Sequence, residues 1–105
     1  MRFVRPNKLT ESSLIIDIRP DDEYYKERLL LPHIHEDFTE ISNIDELIEK
    51  YHFNNHRTIN ILCSSGAGRA EAMAAMLQES GIDNIAIILG GMDGVKYDGL
   101  PTTRH

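Results

Sequence analysis

The sequence predicts an α/β fold with a central, mainly parallel sheet flanked by helices, and three observations predict it. Residues 14–18, 58–63 and 84–89 are short, nearly unbroken aliphatic runs, the pattern of strands buried on both faces. Segments with helical spacing of apolar residues separate them. Punctuation falls where strands should stop, at Pro20 after the first run and at Gly90-Gly91 after the third. Strands that alternate with helices are joined by crossovers, and crossovers make neighbouring strands parallel.

The first strand, residues 14–18, gives way to a helix over 20–26. Pro20 suits an opening turn, and Asp21, Asp22 and Glu23 suit the positive end of the helix macrodipole. Tyr24 and Tyr25 open this helix, and one of them is expected to pack. In the next helix, ending near Lys50, Ile44, Leu47 and Ile48 fall at i, i+3 and i+4. Ser42 is its expected cap, with Asp45 three residues on as a weaker partner than the Glu or Gln of a full capping box. The strand over 58–63 leads to a third helix over 69–80. Ala70, Met73, Ala74 and Leu77 form its apolar stripe, and Gly81 stands where a left-handed cap is wanted. Met73 and Met76 read as interior filler. No repeat or linker interrupts the chain, so residues 1–105 read as one domain.

Composition narrows the function classes. A chain of 105 residues can bury one modest core. With 17 acidic against 11 basic residues and a net charge of −6, it lacks the cationic surface that phosphate backbones need, so no nucleic-acid partner is expected. The apolar runs are too short to cross a bilayer, and no membrane partner is expected. No basic segment followed by an apolar stretch opens the chain, which points to the cytoplasm. The single cysteine excludes an intrachain disulfide and suits a reducing compartment, where thiol reactivity matters more than cross-linking.

In open parallel sheets, reactive groups gather beyond the carboxyl ends of the strands. Cys63 is expected as the last residue of a strand, directly before the small loop Ser64, Ser65, Gly66, Ala67, Gly68 and a helix starting near Arg69. Such a loop can turn successive N–H groups inward and form an anion-binding nest at a helix N-terminus. A thiol held there ionises more readily, and Arg69 supplies a permanent fork of donors. The competing reading is an inert, buried cysteine. His33 with His35, and His52 with His56, lack the further ligands that zinc requires, so no metal site is expected and these read as surface or loop histidines. His105 needs no role. Glu36, Asp37 and Glu40 read as a solvated acidic face. Asp93, after the Gly90-Gly91 turn, reads as a helix N-terminal carboxylate in preference to a pocket residue.

Four segments together resemble the rhodanese-like domain family. LIIDIRPDDEY over 14–24 is similar to its strand-to-helix segment with Asp-x-Arg, here Asp17 and Arg19. INILCSSGAGRA over 59–70 resembles its active-site strand, cysteine loop and helix. GIDNIAIILGGMDG over 81–94 resembles its last strand and Gly-Gly turn, and YDGLP over 97–101 its ending. The resemblance implies a three-layer fold and a cofactor-free sulfurtransferase. In such an enzyme Cys63 takes the outer sulfur of thiosulfate or another sulfane donor and passes it as a persulfide to a thiophilic acceptor. The implied partners are a small sulfur-containing anion and a thiol acceptor, which includes thiol proteins. Residues Ser64 to Gly68 would cradle the terminal sulfur. Asp17 would accept N–H groups of the cysteine loop, or pair structurally at the strand-helix corner, and Arg19 would pair with Glu23. The resemblance lapses over 27–31, where the family carries a Gly-His-Ile-Pro-Gly-Ala type segment, so a remodelled pocket wall is expected there.

Arg69 lies six positions after Cys63, one more than is usual for single-domain sulfurtransferases. That spacing resembles cysteine-dependent phosphatases, and a wider loop accepts a tetrahedral oxyanion gripped by two parallel arginine hydrogen bonds. Against a phosphatase, Leu62 stands where those enzymes carry histidine, and no segment is recognisable as the source of a general acid. An arsenate reductase using the same Cys63–Arg69 loop would need a resolving thiol from outside the chain. Sulfur transfer is therefore the leading expectation, with oxyanion chemistry or a non-catalytic rhodanese-like binding module as alternatives.

Overall fold

The computed structural model describes residues 2–55, 57–65 and 68–104. In chain order its elements are β1 (Arg2–Val4), β2 (Leu14–Asp17), α1 (Asp21–Lys26), β3 (Glu27–Leu29), β4 (Ile34–His35), α2 (Ile44–Tyr51), β5 (Ile59–Leu62), α3 (Gly68–Glu79), β6 (Ile85–Ile88), α4 (Gly91–Tyr97) and β7 (Thr102–Arg104). Five strands form one sheet in the order β1-β6-β5-β2-β4, and every neighbouring pair is parallel. β3 and β7 pair antiparallel as a separate ribbon.

The aliphatic runs become the three central strands, and their unbroken character has a simple cause: both faces are covered. Ile16, Ile59, Ile61, Ile85 and Ile87 point into a core shared with α2 and α3. Ile15, Leu62 and Ile88 alternate to the other face, against Leu29, Met92 and Val95 from β3 and α4. The outer strands β1 and β4, and the β3–β7 ribbon, were not legible in advance. Runs of two or three residues carry no measurable period. Of residues 27–31, where a remodelled pocket wall was expected, Glu27–Leu29 go into this ribbon, with Leu29 buried beneath α4.

The helices follow the expected stripes with small shifts. Ala70, Met73, Ala74 and Leu77 of α3 are fully buried, and Met76 packs partly against the same core. Gly81 (φ +90°) ends α3 in a Schellman arrangement: Ile82 N–H donates to Leu77 O and Gly81 N–H to Gln78 O, both at 3.0 Å. Ser42 does not cap α2. Asn43 does, accepting from the Asp45 and Glu46 N–H groups at 3.0 and 3.2 Å, because it holds the extended backbone immediately before the first turn and has the same capping strength. Pro20 stands as the N-cap of α1, outside the helix proper.

α1 buries no residue fully, so local contacts must hold it. Tyr24 stacks on His35 with ring centroids 3.7 Å apart, and its hydroxyl donates to His33 Nε2 at 2.8 Å. Burial raises the hydroxyl pKa above its ordinary value. His33 Nδ1–H and His35 Nε2–H in turn donate to the Leu31 and Arg19 carbonyls. Asp37 accepts the Asp21 N–H at 3.0 Å and also caps the turn over Phe38–Glu40. Of the two tyrosines Tyr24 packs and Tyr25 is exposed. The expected acidic face is not simply solvated. Glu36 receives the Tyr51 hydroxyl and the Lys50 ammonium, and hydrogen bonds from Thr39 hold Asp37 below the ordinary carboxylate range. His52 closes α2 in the left-handed conformation, while His56, Met1 and His105 lie outside the described residues.

Glu27 ties α1, α4 and β7 together. Its carboxylate accepts from Lys96 and Thr102 at 2.8 Å and from Arg104 at 3.1 Å. These donors lower its pKa from 4.5 to about 2. A depressed folded-state pKa stabilises the fold fully above the unfolded value, and that contribution is lost as pH falls from about 4.5 toward 2. Glu27→Gln should therefore lower the urea midpoint at neutral pH, and the gap from wild type should close near pH 2. A gap that persists there would show that the donors do not act through the charge. Among the described residues no helix is long and apolar enough to cross a membrane.

Candidate active site

The cysteine loop leaves the centre of the sheet at the carboxyl end of β5. The strand stops at Leu62, one residue earlier than expected, and Cys63 begins the loop. Cys63 retains 5% of its surface and packs in the core beneath α3. The loop is fastened from below. Met92 N–H, in the first turn of α4, donates to the carbonyls of Cys63 and Ser64 at 2.9 and 2.8 Å, and Asp93 N–H reaches Ser64 O at 3.3 Å. With those carbonyls drawn down onto α4, the backbone is held at the point where β5 turns toward α3.

This clamp explains Gly91. Its φ is +57°, and an added Cβ would stand 2.6 Å from Cys63 O and 2.9 Å from Ser64 O. Only glycine permits both the left-handed backbone and the close approach. Asp93 lies in the first turn of α4, as expected. It also lines, with Ser65, Pro6, Leu89 and Tyr97, an open cavity of about 490 Å³ beside the loop.

Above the loop stands α1. Because β2 neighbours β5, the helix that follows β2 meets the loop that follows β5. Ser64 Oγ donates to Glu23 Oε1 at 2.6 Å, and Arg69 Nη1 lies 4.0 Å from Glu23 Oε2. The Arg69 and Glu23 side chains are both partly open to solvent, at 43% and 41%. Ser65 is exposed, Gly68 opens α3, and Gly66 and Ala67 lie outside the described residues.

Among the described contacts, Asp17 and Arg19 take the structural one of their expected roles. The Arg19 guanidinium grips the Asp17 carboxylate, with Nε 3.1 Å from both oxygens and Nη2 2.9 Å from Oδ2, while Arg19 N–H caps Oδ1 at 3.0 Å. Nη2 also donates to Glu27 O at 2.8 Å. Both residues are buried, at 0% and 3% exposure. Arg19 therefore pairs with Asp17 and not with Glu23, because two positions along an extended strand end bring the fork back onto the carboxylate. Among the described contacts the pair serves the strand-helix corner, the structural reading of the two.

Glu23 is the site residue that sequence reasoning misplaced. The signal was present in the topology: an acidic first turn directly after β2 faces whatever follows the adjacent strand.

The family comparison agrees with this architecture. The sequence profile described as "Rhodanese-like domain" matches residues 6–98. A Staphylococcus saprophyticus protein of known structure is 26% identical over 96% of this chain and 99% of its own, with a TM-score of 0.72. A rhodanese-like domain protein from Staphylococcus aureus is 26% identical over 96% of this chain and 97% of its own, also at 0.72. A rhodanese-related protein from Thermoplasma volcanium, 21% identical over 98% of both chains with a TM-score of 0.73, speaks to the fold alone. No curated protein matches significantly. A parallel sheet in this strand order, a cysteine loop leaving its centre and a profile match over nearly the whole chain converge on one assignment: the chain belongs to the rhodanese-like domain family.

Proposed function

We propose that the protein is a sulfurtransferase in which Cys63 carries sulfane sulfur as a persulfide. The observation that carries this reading is the placement of Cys63 at the carboxyl end of the central strand. Its loop is clamped from below by the Met92 amide and leads directly into the N-terminus of α3. Thiolate is the attacking form of a cysteine. It takes the outer sulfur of a sulfane donor, here a small sulfur-containing anion, and an acceptor thiol or cyanide then removes it. Protein thiols are among the acceptors this chemistry allows.

In this reading the amides of residues 64–68 hold the terminal sulfur, as inward N–H groups hold any small anion. Arg69 adds positive charge at the mouth, and the Asp17–Arg19 pair supports the corner without touching the substrate. The chemistry requires no cofactor, and a reducing cytoplasm suits its lone thiol.

The six-position spacing from Cys63 to Arg69 favours oxyanion chemistry as the second reading. Leu62 counts against it: it stands where a phosphatase carries histidine and is fully buried on the α4 face. Purified protein supplied with thiosulfate and cyanide should release thiocyanate, and Cys63→Ser should abolish release. Cys63-dependent hydrolysis of an aryl phosphate without thiocyanate formation would transfer the site to phosphatase chemistry. Inactivity in both assays would leave the binding module.

A further inference from the structure

On the α1 side of the Cys63 loop, the Ser64 and Arg69 side chains both face the carboxylate of Glu23. The Ser64 hydroxyl hydrogen is committed to Glu23 Oε1 at 2.6 Å, and Arg69 Nη1 lies 4.0 Å from Glu23 Oε2. The donor and the cation that would otherwise neutralise an incoming oxyanion are thus facing a carboxylate of this chain. Glu23 is not free to withdraw with its helix, because the Tyr24–His35 stack, the Tyr24–His33 hydrogen bond and the Asp37–Asp21 bond anchor α1. Asp93 adds a second carboxylate in the first turn of α4, and the one described cation of the cavity wall, Arg5, faces Asp98 at 3.5 Å.

We infer that Glu23 is a specificity-determining residue that makes the loop select sulfur donors of low charge, hydropersulfides of small thiols, over dianions such as thiosulfate and phosphate. This rests on the sulfurtransferase reading of Cys63. Coulomb repulsion scales with the charge of the entering ligand, so a carboxylate at the mouth penalises a dianion twice as much as a monoanion. The reaction with a hydropersulfide balances without a further reagent. The Cys63 thiolate attacks the outer sulfur of R–S–S–H, a new S–S bond to Cys63 forms as the donor's own S–S bond breaks, and the pair of that broken bond leaves on the inner sulfur as R–S⁻. The proton stays on the transferred sulfur.

The test compares wild type with Glu23→Gln, which keeps a carbonyl oxygen for the Ser64 hydroxyl while removing the charge. Thiosulfate and cysteine persulfide are the donors, and inorganic phosphate is the competitor. The ratio of kcat/KM for thiosulfate to that for cysteine persulfide should rise about fivefold in the variant, the size expected of a partly exposed charge pair. The gain should lie in KM for thiosulfate, phosphate should inhibit the variant more tightly, and added salt should shrink the difference between the proteins. If both donors load Cys63 but the ratio is unchanged or falls, this inference is wrong and the sulfurtransferase reading stands. If neither donor places sulfur on Cys63 of the wild type, the sulfurtransferase reading fails and takes the inference with it.

Discussion

Truncation of Asp17 to alanine is expected to destabilise the folded protein by about 3–5 kcal/mol, the usual cost of stripping one partner from a buried ion pair. Asp17 is fully buried and Arg19 nearly so, and the carboxylate takes three side-chain contacts from the guanidinium as well as the Arg19 N–H. Without it, no described carboxylate pairs with Arg19, whose guanidinium keeps the Glu27 carbonyl and the Tyr24 ring at 6.0 Å. A loss of this size is a large share of the ~5–15 kcal/mol by which a small domain is stable. Urea unfolding of Asp17→Ala, Arg19→Met and the double variant gives the pair's coupling directly. The double variant should recover much of the loss, because apolar replacement of both partners removes the uncompensated charge. A single-variant loss below about 1 kcal/mol would place the pair among ordinary surface contacts.

Gly91→Ala should damage the site and the fold together. The added methyl would have to push the Cys63 and Ser64 carbonyls out of positions 2.6 and 2.9 Å from it. Left-handed strain and overpacking together amount to about 2–5 kcal/mol. Displacement of the loop by even about 1 Å can cost on the order of a hundredfold in rate, so sulfur transfer should fall more steeply than folded content does. Gly81→Ala provides the control. Gly81 is also left-handed, at φ +90°, but an added Cβ there meets nothing within 4 Å. It should show the strain cost of about 1–2 kcal/mol with transfer retained. Equal effects at both glycines would mean that the α4 clamp does not position the loop.

The parts of the molecule that could be read in advance are those in which local chemistry decides the outcome. Three aliphatic runs announced the central strands because burial on two faces leaves no polar alternation to read. The Ala70, Met73, Ala74, Leu77 stripe and Gly81 announced α3 and its end. Cys63 before a small loop and an arginine was visible for the same reason. What stayed hidden depends on partners distant in sequence. Glu23 reaches Ser64 across 41 positions, and Glu27 reaches Thr102 across 75. Asp17 and Arg19 form the structural ion pair expected at the strand-helix corner, but the expected Arg19–Glu23 pairing is absent among the described contacts, since an extended strand end allows the fork to fold back or to reach forward. Asn43 displaced Ser42 as a cap because two good capping residues stand side by side and the backbone had to choose one.

The most direct test of the account is the intact mass of the protein after exposure to a sulfane-sulfur donor. Wild type should gain one sulfur atom per chain, cyanide should remove it, and Cys63→Ser should gain none. A wild-type mass that stays unchanged with both cysteine persulfide and thiosulfate, while the chain remains folded, would contradict the claim that Cys63 carries sulfur.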